Sequence, residues 1–246
     1  MYDDKKRFVY QMKTRVRYSE VDQKGNLTIV AMINYLQDCS SFHSDSIGYG
    51  LDYLSERGLG WFITNWQIHV HALPRYGDEI VISTWAQEFK GILAHRNFAI
   101  DDADGTRLME SKSLWVLMDL NAGCPARIPK EIIRDYGIGE DLPGQWGGRK
   151  VALFEQESFT TQDHSVEVMP VHLDTNRHMN NAYYIEFARD VLPKDKKVFG
   201  IRTEYRKAAQ LGDMIRIRIA EQDDTAQVLL EDVDGAIFAI VEFVLG

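Results

Sequence analysis

Along much of the chain apolar residues alternate with polar ones, as at Trp66, Ile68 and Val70 and again at Ile215, Ile217 and Ile219. That is the period of a strand with one buried face. Two stretches break the rhythm. Ile29 to Asp38 and Ala182 to Val191 carry apolar residues at helical spacing, with Tyr184, Ile185 and Ala188 on one side of the second. Read in order, each half gives a strand (Lys13 to Ser19; Glu157 to Met169), a polar turn, a helix and a run of strands. In the first half the run is Trp61 to Val70, Glu79 to Glu88, Leu93 to Ile100 and Arg107 to Asp119. In the second it is Val198 to Lys207, Met214 to Gln222, Ala226 to Val233 and Ala236 to Leu245.

The two halves share more than element order. Val21-Asp22-Gln23-Lys24-Gly25-Asn26 lies over Leu173-Asp174-Thr175-Asn176-Arg177-His178, and the same offset superposes the two helical stretches. Tyr76-Gly77-Asp78-Glu79-Ile80 matches Leu211-Gly212-Asp213-Met214-Ile215 at a shorter spacing, which places extra residues in the first half. Ser40 to Gly60, punctuated by Gly48, Gly50, Gly58 and Gly60, is where a loop insertion is expected. One helix against several antiparallel strands, made twice, is α+β and excludes a doubly wound sheet. The expected division is a unit over residues 8–138, a linker over 139–154 with Gly144, Gly147 and Gly148, and a second unit over 155–246. Two such units can pair their sheets as a homodimer of single units would.

Composition narrows the function. Of the 246 residues 45% are hydrophobic and 26% charged, which is globular, and a net charge of -9 argues against a general nucleic-acid or anionic-membrane binder. The longest apolar stretch, Ala236 to Leu245, is too short to span a bilayer and is interrupted by Glu242. Met1 to Arg7 has no apolar signal-peptide core, and the two cysteines, Cys39 and Cys124, form no CxxC pair, so a reduced, cytoplasmic protein is expected. His69 and His71 share a strand face, but no third ligand stands near, and solvent-facing histidines are expected there with no metal and no cofactor. G-x-S-x-G, P-loop and G-x-G-x-x-G motifs are missing from the sequence.

The stretch richest in chemistry is His172 to Ile185. Asp174, Asn176 and His178 stand just ahead of a helix for which Asn180 and Asn181 are good N-caps. Helix N-termini stabilise negative charge, the charge that forms on oxygen when an ester or thioester carbonyl is attacked. In the first half the equivalents of Asn176 and His178 are Lys24 and Asn26, so one chemical site per chain is expected, with the first unit given to substrate binding. Ordinary turn and capping roles are the competing account of Asp174 and the Asn pair.

In these residues the chain resembles the acyl-ACP thioesterases of plants and bacteria, a family built from two hotdog units. The resemblance is carried by Leu173 to Asn181 and Glu204-Tyr205-Arg206-Lys207. Gly60 to Ile63, Pro74 to Glu79, Ser113 to Asp119 and Arg127-Ile128-Pro129 carry it in the first half. Without a plastid-type leader in Met1 to Arg7, the bacterial branch is expected. The resemblance implies hydrolysis of fatty acyl thioesters on acyl carrier protein, with roles for Asp174, Asn176 and His178. Many members have an acidic residue, and in plants a cysteine, just after the counterpart of Lys207. Here Ala208 and Ala209 stand in their place, so the resemblance does not name the base. Glu204 is a poor substitute, because four residues of strand put it roughly 13 Å from Ala208.

Asn176 and His178 are expected to orient thioester and water and Asp174 to fix the geometry or take the proton, with the backbone N–H groups of Asn181 and Ala182 at the oxyanion. The acyl slot is expected along Met32, Ile33, Leu36, Trp66 and Ile68, with Trp61 near one end. Lys194, Lys196, Lys197, Arg202, Arg206 and Lys207 are candidates for docking an acidic acyl carrier protein. A second copy of the chain is also a candidate partner. An acyl-CoA thioesterase and a non-catalytic acyl-binding module remain the alternatives.

Overall fold

The computed structural model describes residues 8–163 and 165–246; the expectations placed on Met1 to Arg7 and on His164 lie outside it. Among the described residues two compact units emerge, residues 8–64 with 70–145, and residues 65–69 with 146–163 and 165–246.

In the first unit β1 (Tyr10–Arg15) leads to α1 (Ile29–Ser46), α2 (Leu51–Glu56) and β2 (Leu59–Val70). A meander follows of β3 (Glu79–Lys90), β4 (Leu93–Asp102) and β5 (Arg107–Asp119), then a two-residue β6 (Cys124–Pro125) and α3 (Lys130–Tyr136). The strands are antiparallel in the order β1, β3, β4, β5, β2, with β6 paired to β5. Ile80, Ile82, Phe98 and Ile100 are fully buried on the inner face, and α1 turns Met32, Ile33, Leu36 and Cys39 to the core.

The expected loop insertion at Ser40 to Gly60 is largely helical instead. α1 runs eight residues past Asp38, to Ser46, and α2 follows. The serines of that stretch are accommodated in the helix because their hydroxyls bond back to the preceding turn, Ser40 Oγ to Gln37 O (2.8 Å) and Ser44 Oγ to Ser40 O (2.9 Å).

The second unit has β7 (Thr160–Thr161), β8 (Val166–Glu167), α4 (Asn181–Asp190), β9 (Val198–Tyr205), β10 (Met214–Gln222), β11 (Thr225–Glu231) and β12 (Ile237–Leu245). The order is β9, β12, β11, β10, with β7 and β8 both on β10 and the Asn65–His69 stretch of β2 on β9, Trp66 opposite Thr203 and Ile68 opposite Ile201. The strand expected over Glu157 to Met169 is thus two short pieces flanked by 3₁₀ turns at Gln156–Ser158 and Pro170–His172. α4 packs against β11 and β12. β11 is buried on both faces because residues of the expected linker cover its other side: Val151, Leu153 and Phe154 join Leu229 and Ile240. Polar bonds hold that strap, Gln227 Nε2 to Ala152 O (2.8 Å) and Val151 N–H to Glu204 Oε2 (3.0 Å) among them.

The repeat seen in the sequence extends to single hydrogen bonds. Asp22 N–H to Asn26 O in the first unit is Asp174 N–H to His178 O in the second, each 2.8 Å. Val16 N–H to Asp78 O is Val168 N–H to Asp213 O, each 2.9 Å, and Leu27 N–H to Pro74 O (2.8 Å) is Met179 N–H to Ala209 O (2.9 Å).

Candidate active site

Asp174 to His178 form one tight turn. It is closed by the Asp174 N–H to His178 O bond and bracketed by a Leu173–Met179 bridge. The Asp174 carboxylate accepts inside the turn, from Asn176 N–H at 2.8 Å and His178 N–H at 3.2 Å, so one oxygen fixes the backbone of both candidate residues. Asn176 is exposed, and Asp174 and His178 are half-buried.

The same turn is built three more times. Asp22, Asp102 and Asp232 each accept from the N–H groups two and four residues on, at 2.8 to 3.0 Å. In those three the fourth residue is Gly25, Gly105 or Gly235, each with positive φ. In the Asp174 turn it is Arg177, at φ 62. A side chain in that left-handed conformation costs of order 1 kcal/mol or more and concentrates at functional sites.

Two devices join this turn to α4. His172 sits in the 3₁₀ turn before it, where its Nδ1 accepts from Met169 N–H (3.0 Å) while its carbonyl accepts from Asn180 N–H (2.8 Å). Its ring packs on Tyr183 and Phe187. The first unit solves the same problem with Glu20, which accepts from Arg17 N–H and from the Tyr35 hydroxyl. Asn180 is the N-cap of α4, its Oδ1 accepting from Ala182 N–H at 3.0 Å. Of the two backbone groups expected at an oxyanion, the Ala182 N–H is therefore engaged by the cap.

Two tyrosines not expected to act at the site complete the surroundings. Tyr205, at the end of β9, donates to Asn181 O at 2.9 Å; Tyr184 accepts from Ala209 N–H at 2.8 Å, and the rings meet edge to face. Burial pushes the Tyr184 phenol up to about 12 and that of Tyr205 well above its ordinary value, so both stay protonated. Tyr205 thus ties the first turn of α4 to the sheet, and Tyr184 ties it to the segment carrying Ala208 and Ala209.

With this geometry in place, comparison with known proteins is decisive. The acyl-ACP thioesterase N-terminal domain matches residues 7–136 and the C-terminal domain residues 155–238. The chain belongs to the acyl-ACP thioesterase family. Relatives include a chloroplastic acyl-[acyl-carrier-protein] hydrolase of Cuphea viscosissima, 23% identical over 81% of this chain and 52% of that protein. A chloroplastic palmitoyl-acyl carrier protein thioesterase of Arabidopsis thaliana is 23% identical over the same shares. The chain spans about half the length of these curated relatives. Among solved structures, an acyl-ACP thioesterase from Bacteroides thetaiotaomicron has a TM-score of 0.88 at 21% identity, covering 98% of this chain and 99% of its own. The 12:0-ACP thioesterase of Umbellularia californica has 0.82 at 20% identity, covering 97% of each. The fold is accordingly α+β, two hotdog units in tandem.

The remaining family-type residues are placed as follows. Ala208 is exposed and Ala209 buried, and neither brings a titratable group. Glu204 does not share a strand with Ala208, since β9 stops at Tyr205, and its carboxylate serves Arg206 Nε (2.9 Å) and Val151 N–H. Of the six cations considered for docking, four have carboxylate partners: Lys194 with Asp190, Arg202 with Glu242, Arg206 with Glu204 and Lys207 with Asp232. Among the described residues Lys196 and Lys197 have none.

Met32, Ile33 and Leu36 are fully buried on α1, and Trp66 and Ile68 fully buried on β2. Trp61 instead lines a pocket of the first unit together with Phe89, Trp115 and Tyr136. Cys39 is buried and its thiol, pushed up to about 12 chiefly by burial, is no nucleophile. His71 is exposed as expected, but His69 is half-buried under Trp146, ring centroids 4.2 Å apart, because the strap folds over it. No helix among the described residues is long and apolar enough to cross a membrane.

Proposed function

We propose that the chain hydrolyses fatty acyl thioesters borne on acyl carrier protein, releasing the free fatty acid and ending chain elongation. The supporting observation is the Asp174 turn: one carboxylate pins the backbone of Asn176 and His178 at the entrance to a capped helix, in a chain of this family.

Asn176 and His178 orient the thioester carbonyl and the attacking water. Water oxygen adds to the carbonyl carbon, and the oxyanion forms toward the positive end of α4. The C–S bond then breaks, and the proton shed by water is returned to the thiolate, His178 being the group suited to carry it. No covalent acyl-enzyme is needed. Asp174 is a positioning residue, its carboxylate oxygen already spent on the turn.

Turnover of one acyl chain presented on acyl carrier protein and on coenzyme A tests the carrier. A kcat/KM at least tenfold higher on the protein carrier is expected. Equal or better turnover of the coenzyme A ester assigns the enzyme to the other carrier.

A further inference from the structure

The eight-residue extension of α1, which α4 lacks, builds a pocket entirely within the first unit. Trp61, Phe89, Trp115 and Tyr136 line it, and it opens to solvent. Its floor is polar: Ser40, Ser44 and Arg96. Arg96 is only 8% exposed, yet no acidic residue lines the pocket, and among the described residues no carboxylate pairs with the guanidinium. Its partners are neutral. Nη1 donates to His43 Nδ1 and to Thr84 Oγ1, each at 3.1 Å, and the guanidinium lies over the Tyr136 ring at 5.0 Å. Burial and Arg96 itself hold His43 neutral, its pKa lowered to about 3. A second donor is spare: the indole Nε1 of Trp61 is buried and without a partner among the described residues.

An unneutralised buried cation and a buried donor without an acceptor each destabilise the fold until a ligand satisfies them. A two-oxygen anion suits this set, since a carboxylate matches the guanidinium fork and is also an acceptor for an indole N–H. The aromatic walls require that anion to come on an apolar stem.

We propose that this pocket is a binding site for a carboxylate carried on an apolar chain, with Arg96 as its anion anchor. Two sources share that chemistry: a free fatty acid entering head first, and an acyl chain bearing a second carboxylate at its far end. Binding stands independently of catalysis, whereas a part in turnover rests on the thioesterase activity proposed above.

The test uses the full chain, titrated calorimetrically with decanoate and with decanol. Decanoate is expected to bind once per chain, to weaken at least tenfold in Arg96→Met and to recover in part in Arg96→Lys; decanol binding is expected to be the same in wild type and Arg96→Met. Thermal melts accompany each variant, and Arg96→Met is expected to melt no lower than wild type, because an apolar side chain replaces an unpaired buried charge. Decanoate binding unchanged in a folded Arg96→Met, or lost in His178→Ala while kept in Arg96→Met, overturns the proposal.

Kinetics separate the sources. A roughly tenfold greater loss of kcat/KM by Arg96→Met on ω-carboxydecanoyl-acyl carrier protein than on decanoyl-acyl carrier protein identifies the chain's far end. Equal kinetics with lost decanoate binding identify the free acid. Should the wild type cleave no thioester, the activity proposed above fails while the calorimetry still decides the pocket.

Discussion

Arg177 is the residue at which the Asp174 turn departs from its three siblings, which all place Gly at the same left-handed position. Arg177→Gly is expected to relieve that strain and raise stability by about 0.5 kcal/mol, part of the gain being offset by glycine's freedom in the unfolded chain. For a chain of this size a melt should move up by about 1–2 °C, and no rise would show that Arg177 is held without strain. Asp174 is a sharper case. If it positions rather than takes the proton, Asp174→Asn, which keeps an acceptor oxygen for the Asn176 and His178 N–H groups, should retain activity within about tenfold. Asp174→Ala should lose both activity and melting temperature. A collapse of kcat in Asp174→Asn with an unchanged melt would instead make it the base. That Asp174, Asn176 and His178 fall together in one turn ahead of a helix was legible in sequence, because all three sit within five residues of one another. The Asp-x-x-Gly spacing of Asp22, Asp102 and Asp232 was equally available and shows that a large part of the Asp174 role is turn construction. Tyr205 was not legible as a site residue, because its partner, the Asn181 carbonyl, is a backbone group 24 residues away and leaves no pattern.

Among the elements, α4 follows the candidate turn, and Asn180 caps its first turn. Asn180→Ala removes the Oδ1 that holds Ala182 N–H and should cost about 1 kcal/mol, lowering the melt by roughly 2–4 °C, whereas Asn180→Asp should melt as wild type. Equal melting of Asn180→Ala and wild type would mean that the tie from Tyr205, not the cap, holds the helix end. Most strands were readable from their period-2 alternation, and both helices from theirs, with ends shifted by a few residues. α2, α3 and β6 were not expected, and two further stretches came out differently. The C-terminal half of α1 buries Ser40, His43 and Ser44, but it falls in the Ser40 to Gly60 stretch that the glycines Gly48, Gly50, Gly58 and Gly60 marked as a loop insertion. The strand expected over Glu157 to Met169 breaks into two short edge pieces, each satisfied by different residues of β10. Arg96 did leave a trace: it falls in phase with Ala94, Phe98 and Ile100 on β4, the buried phase of that strand.

For the whole molecule, the -9 charge bears on the acidic carrier proposed above. Pairing leaves Lys196 and Lys197 as the exposed cations of the docking set, on a loop that Arg189 pins by donating to the carbonyls of Leu192, Pro193 and Lys196. That loop follows the C-terminal end of α4, ten residues and about 15 Å from the helix start at the site, so a carrier seated there must present its thioester on an arm of comparable length. Lys196→Glu combined with Lys197→Glu should lower kcat/KM on acyl carrier protein substrates about tenfold and leave a small thioester untouched, the loss shrinking as salt is raised. Equal losses on both substrates would remove docking from this loop.

The central claim, thioester hydrolysis at the Asp174 turn, is met most directly by following free thiol release from a panel of acyl carrier protein thioesters, short to long, with Asn176→Ala and His178→Ala beside the wild type. Turnover by the wild type, reduced about 10²- to 10³-fold in each variant with melts unchanged, is the predicted result. Wild-type turnover that survives in both variants would move the chemistry elsewhere in the chain, and no turnover on any chain length would make the protein an acyl binder.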